Sequence, residues 1–332
     1  MKSDMEISPS LSRRALVAGA AALAATPANA FQAGVPMVDT HIHLFDPNRP
    51  QGAPYRGPRD YPTHTQGAFP LTYREVMARH DVVAAIKVEA SPWFEDNLWA
   101  LQAAETDEIM VGVVGNFRIE APDFPEVLER HARNPLLRGV RYGNLWRYDL
   151  VSRSREPEFL ARLNGVAEAD LTLDSANPRL DLLEALVRVN DAAPNLRIVV
   201  DHLCKYDPTP EEERPYAAVL REISGRPNMF VKLSSSLHAA NRSPRMRDHR
   251  ERLDLIYDAF GADRVLFATD WPNVEGDGPV HTAVAIVQEY FARKSREERA
   301  KFFWRNSLKA YKWRPRSERQ RALVAAAETA EL

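Results

Sequence analysis

A single cysteine, Cys204, stands among 332 residues, so no intramolecular disulfide can form and stability must come from a packed core. A lone thiol of this kind is more often buried and inert than reactive. Excess positive charge is also missing. The formal net charge is -2, which leaves no global field to draw phosphates and argues against a nucleic-acid partner. No apolar run is long enough to span a bilayer, since the longest alanine-rich stretch, 15–25, is too short. The Gly-rich phosphate turn that opens most dinucleotide-binding sheets is absent after the first predicted strand.

What the N-terminus does have is Ser12-Arg13-Arg14-Ala15-Leu16-Val17, an apolar stretch, and Ala28-Asn29-Ala30. A basic segment, a short apolar core and an Ala-x-Ala site make a cleavable secretory signal over residues 1–30. The paired arginines point to the twin-arginine export machinery, although Leu16 stands where that motif usually carries Phe. The expectation is a periplasmic protein, mature from about Phe31 and free of membrane after cleavage. Removing Lys2, Arg13 and Arg14 with Asp4 and Glu6 takes the net charge to -3. Residues 31–313 then form one domain large enough for a substantial core. The charged, then alanine-rich tail 314–332 reads as a surface or frayed helix.

Short β-branched runs alternate with helical patterns along that domain. Strands are predicted at 35–41, 82–88, 109–114, 137–142, 171–174, 197–201, 229–233 and 265–269, each an apolar run suited to burial on both faces. Amphipathic segments at 97–108, 123–134, 178–193, 216–226 and 281–293 fall between or after them. Eight strand-then-helix repeats predict an α/β fold, a (β/α)8 TIM barrel. The segment 48–80, with Pro50, Pro54, Pro58, Pro62 and Pro70 and the aromatics Tyr55, Tyr61 and Phe69, reads as an ordered flap over the catalytic face.

His41 and His43 carry the chemistry at the end of the first strand. Residues two apart on a strand project to one side, so both imidazoles can serve a zinc-type ion or a proton-transfer site. His202 ends the sixth strand, in Ile198-Val199-Val200-Asp201-His202. Asp270 ends the eighth, in Val265-Leu266-Phe267-Ala268-Thr269-Asp270-Trp271-Pro272. A closed barrel sets strand eight beside strand one, so these four protonatable groups converge on one rim.

The runs Val38-Asp39-Thr40-His41-Ile42-His43-Leu44-Phe45-Asp46, Val200-Asp201-His202, Val231-Lys232-Leu233-Ser234 and Phe267-Ala268-Thr269-Asp270-Trp271-Pro272 resemble those of the amidohydrolase-related TIM-barrel hydrolases. The lactonase branch, with pyrone-dicarboxylate, sulfomuconolactone and fuconolactone hydrolases, is the most similar. The resemblance implies a hydrolase with His41, His43, His202 and Asp270 as its central site. It departs from the binuclear members, because Lys232 stands where they would offer histidine. One divalent metal, zinc by preference, held by those four residues, or metal-independent catalysis, is therefore expected.

The expected reaction is opening of a cyclic ester. Asp270 takes a proton from water while the three histidines polarise the carbonyl, with or without metal. A small anionic substrate would meet Arg141, Tyr142 and Lys232, with Trp271 beside Asp270 lining the pocket. Two other readings use the same residues. One is a zinc-dependent decarboxylase of the same superfamily; the other is a periplasmic sugar-acid binding protein on a silent barrel.

Overall fold

The computed structural model describes residues 35–54, 66–234 and 243–330. The signal read at 1–30 lies outside them, as do Tyr55, Pro58, Tyr61 and Pro62 of the expected flap. Eight strands run parallel in sequence order: β1 (Met37–Ile42), β2 (Val82–Val88), β3 (Met110–Asn116), β4 (Leu137–Arg141), β5 (Thr172–Asp174), β6 (Arg197–Val200), β7 (Met229–Leu233) and β8 (Val265–Phe267). Each pairs with the next. Near-continuous Val, Ile, Leu and Ala runs suit strands covered on both faces. The result is a nearly closed α/β barrel of the TIM type.

The seam between β8 and β1 is closed just beyond the end of β8. Ile42 bridges Trp271, the Asp270 amide donates to the His41 carbonyl at 2.9 Å, and the His43 amide donates to the Trp271 carbonyl at 2.7 Å. Asp39 adds a buried clasp. Its carboxylate accepts from the Thr269 amide (2.9 Å), the Thr269 hydroxyl (2.6 Å) and the Tyr73 hydroxyl (2.8 Å). Burial raises its pKa to about 6, against the lowering effect of those donors. Closure at this seam is what brings the eighth-strand aspartate to the first-strand histidines.

Val38, Ile86, Val114, Val199, Phe230 and Leu266 form a core with Trp304, Tyr311 and Trp313. Those last three come from the π-helical turn Lys301–Arg305, the helix Asn306–Tyr311 and the residues after it. The tail beyond is anchored rather than frayed. Arg316 donates to the carbonyls of Ala104 (2.7 Å), Glu105 (3.0 Å), Asp107 (3.0 Å) and Met110 (2.7 Å). Buried Gln320 donates to Val83 (2.9 Å) and Glu108 (2.8 Å). The carbonyls of Ala104 and Glu105 are left over where the helix Asp96–Glu105 ends, and with those of the following turn and of the β2 and β3 starts they give the charged tail a row of acceptors that keeps it docked.

The long segment after β1 contains a helix of its own, Pro70–Val76, opened by proline at its first position. Arg49 holds the segment's start by a fork to Asp96 (2.8 and 3.0 Å) and lies over the Trp99 ring. Among the described residues, no helix is long and apolar enough to cross a membrane.

His80 Nε2 and His281 Nδ1 lie 2.9 Å apart across the outer side of the seam. Burial first, then His281 and Arg79, lower the His80 pKa to about 4. A histidine held below its ordinary value costs stability once the unfolded chain begins to bind protons, from about pH 6.5 downward to about 4. His80→Gln lacks that cost. Its melting temperature, lower than wild type at pH 7.5, should gain roughly 3 °C on wild type by pH 4.5. Parallel melting curves across that range that keep a constant gap would contradict it.

Candidate active site

The C-terminal ends of the strands carry the site. His41 lies on β1 and His43 just past it, both buried. His202 follows β6 by two residues and Asp270 follows β8 by three, and each has a left-handed backbone (φ 54 and 63). Histidine and aspartate tolerate that region better than most side chains, yet it still carries strain that packing must hold in place. The turn at each position swings the side chain inward from the end of its strand.

The four expected residues meet. His43 Nε2 is 3.2 Å from both His41 Nε2 and Asp270 Oδ1, and His41 Nε2 is 3.6 Å from the same oxygen. The His202 ring centroid is 4.5 Å from that of His41, and its Nδ1 is 3.8 Å from Asp270 Oδ2. His43 is oriented from behind, its Nδ1 3.2 Å from the Val88 carbonyl, while Ser234 Oγ sits 2.7 Å from His202 Nδ1, the same nitrogen that lies nearest Asp270. Burial lowers His202 to about 4 and His41 well below its ordinary value, so both are neutral at pH 7. Burial would raise Asp270, but His202, the His43 hydrogen bond and His41 together hold it well below the usual range. The site at neutral pH is one carboxylate faced by imidazole nitrogens.

That donor set fits a divalent ion. His41, His202 and Asp270 each offer a ligand atom within 4.8 Å of the others. Donors bound to one tetrahedral zinc lie about 3.3 Å apart, close to the 3.2–3.6 Å found among His41, His43 and Asp270. The charge around them also calls for a cation. Buried carboxyl groups at Asp39, Glu89, Asp174, Asp201 and Asp270 outnumber the buried cations Arg141, Lys232 and Lys87 around the site.

The residues expected to bind substrate are placed differently. Arg141 is buried, with Nη1 donating to Glu89 (3.1 Å), Nη2 to the Ala176 carbonyl (3.3 Å), and Nε 3.1 Å from Asp201. Its Nη2 still reaches to 3.5 Å from His202 Nε2, at the margin of the site. Lys232 is fully buried beneath His41 rather than at the opening, paired with Asp174 (2.8 Å) and Asp201 (3.0 Å). Tyr142 donates to Glu120 and packs against Tyr148 and Phe159. Trp271 is buried against Tyr73. Tyr142 and Lys232 have their polar atoms engaged by Glu120 and by Asp174 and Asp201, the Trp271 ring packs while its indole N–H lacks a hydrogen-bond partner among the described residues, and Arg141 keeps its reach to His202. Trp146, by contrast, donates its indole N–H to Glu89 at 2.9 Å, from a strained turn after β4 (φ 54).

Asp174, Asp201 and Ser234 do not stand out in the sequence as site residues. Asp174 ends β5, so the strand-end test that found His202 and Asp270 would have found it too.

Residues 38–313 match the amidohydrolase family model. An L-fucono-1,5-lactonase of Burkholderia ambifaria is 26% identical over 238 residues, covering 71% of this chain and 80% of that protein. Two solved structures share the fold: an amidohydrolase of Burkholderia multivorans with bound zinc (TM-score 0.70, 22% identity, 84% of this chain and 100% of that one), and a putative 2-pyrone-4,6-dicarboxylic acid hydrolase of Pseudomonas putida (TM-score 0.66, 20% identity, 84% and 98%). With the family match spanning the whole barrel and its catalytic rim, the chain belongs to the amidohydrolase family and is a hydrolase of that superfamily.

Proposed function

We propose that this enzyme opens the cyclic ester of an acidic or sugar-acid substrate. The observation that carries the reading is the meeting of Asp270 with His41 and His43 at 3.2–3.6 Å on the open end of the barrel. The fuconolactonase relatives support the substrate class.

Asp270, ionised at neutral pH, accepts a proton from the attacking water and aims the oxygen at the ester carbonyl. His202, neutral and held by Ser234, lies on the far side of Asp270 to meet the developing oxyanion. Arg141, at the site margin, would steady a substrate carboxylate only by sharing donors now directed at Glu89 and Ala176. His41, His202 and Asp270, with His43 beside them, would hold a divalent ion, which would supply a Lewis acid and make bound water more acidic.

The test is a panel of sugar-acid and aromatic-acid lactones assayed for acid release, with carbon dioxide measured alongside. Lactone opening without carbon dioxide is expected. Carbon dioxide release would replace this reading with the decarboxylase, and binding without turnover would replace it with the binding protein. We also infer export through the twin-arginine route, so the activity should sit in the periplasmic fraction; recovery only in the cytoplasmic fraction would remove that inference.

A further inference from the structure

Glu89 stands one residue past β2 and is buried at the catalytic end of the barrel. Three donors converge on its carboxylate. Arg141 Nη1 donates to Oε1 at 3.1 Å, the Trp146 indole N–H to Oε2 at 2.9 Å, and the Ser91 amide to Oε2 at 3.1 Å. The ion pair Glu89 makes among the described residues is with Arg141, from β4, and not with its near neighbour Lys87. A guanidinium arm, an indole N–H and a main-chain amide are donors of the kind that hold the carboxylate of a bound ligand. Here a side chain of the protein itself fills the place.

The turn after β4 is shaped to complete this clamp. Trp146 and Arg147 are successive non-glycine residues with left-handed backbone (φ 54 and 77). Strain of that kind persists only where the surrounding structure holds it, and the Trp146–Glu89 bond is one of its holds. The clamp also borders the reacting groups. Arg141 Nη2 lies 3.5 Å from His202 Nε2, so one guanidinium separates Glu89 from the site. A substrate carboxylate arriving on this side would find its donors taken and a second carboxylate beside it. Like charges brought together out of water are strongly unfavourable. A substrate hydroxyl meets no such penalty, because it can donate to a carboxylate oxygen.

We propose that Glu89 is a specificity-determining residue: an internal carboxylate that fills the anion clamp of Arg141, Trp146 and Ser91, and so excludes lactones bearing a carboxylate on this side of the ring in favour of uncharged, hydroxylated ones. This rests on the lactone reading and narrows its substrate class.

The experiment uses the full-length enzyme and a matched pair of lactones. Gluconolactone ends in a primary alcohol where glucarolactone carries a carboxylate. Wild type should open the uncharged lactone with a kcat/KM at least about 100-fold higher. Glu89→Ala, which empties the clamp, should lose about tenfold on gluconolactone and gain about tenfold or more on glucarolactone. Acetate matches the atoms removed, so it should act on that variant in opposite directions, restoring gluconolactone opening and inhibiting glucarolactone opening. A residue that only supported the fold would slow both lactones together, and acetate would not separate them. Glu89→Gln keeps the shape and removes the charge, so it should narrow the preference even if Glu89→Ala is too unstable to assay. Equal opening of the two lactones by wild type, or parallel losses on both in the variants, would overturn the proposal. Wild type that opened no lactone at all would remove the lactone reading and this proposal with it, an outcome distinct from equal opening.

Discussion

Asp270→Asn should lower kcat for lactone opening by about 10³-fold while leaving the melting temperature within a few degrees of wild type. The substitution keeps the side-chain shape and removes the charge and the ability to take a proton. The backbone should tolerate it, because Asn adopts the left-handed conformation found at position 270 (φ 63) at least as readily as Asp. The seam should also survive, since the bonds that join β8 to β1 here are made by backbone atoms of residues 41, 43, 270 and 271 and by the Asp39 clasp. Loss of turnover without loss of fold would place the proton acceptor at Asp270. Near-wild-type rates would remove it from the mechanism, and a collapse of stability would make the rate uninterpretable, so both are measured on the same preparation.

The four central residues were legible because each lies at a strand end, and strand ends show in sequence as an apolar run that stops at a reactive side chain. Strands β2 and β7 begin and end where the pattern put them, and β6 and β8 stop one and two residues early. At those two ends the chain turns into left-handed conformations at His202 and Asp270, which alternation alone does not reveal. Lys232 shows the limit of this reasoning. An isolated lysine in a strand reads as a solvent or substrate contact, because its partners sit 58 and 31 positions earlier, on other strands. Only closure of the barrel brings Asp174 and Asp201 to it. Tyr311 is less legible still: its hydroxyl reaches Asp174 at 2.6 Å from the closing helix. The helix Pro70–Val76 was hidden inside a proline-rich stretch that reads as loop, although Pro70 marks its start.

That hidden layer predicts the largest effect on stability. Lys232→Met conserves length and apolar bulk but leaves Asp174 and Asp201 without the ammonium that pairs them. Both carboxylates are fully buried. Breaking one side of such an ion pair costs about 3–5 kcal/mol, and here the cost falls on Asp174, left with only the hydroxyls of Thr172 and Tyr311, because Asp201 keeps Arg141. For a domain of this size the melting temperature should fall by roughly 10 °C. The companion variant separates charge from packing. Adding Asp174→Asn to Lys232→Met removes one unpaired carboxylate while the Tyr311 hydroxyl keeps an oxygen to donate to. The double variant should be more stable than Lys232→Met alone, although Asp174→Asn by itself destabilises the wild-type enzyme. Additive losses in this cycle would mean that Lys232 acts through packing, because two groups that merely share a core do not rescue each other. A rescue would show that the ammonium is retained to hold two acids in place beneath His41.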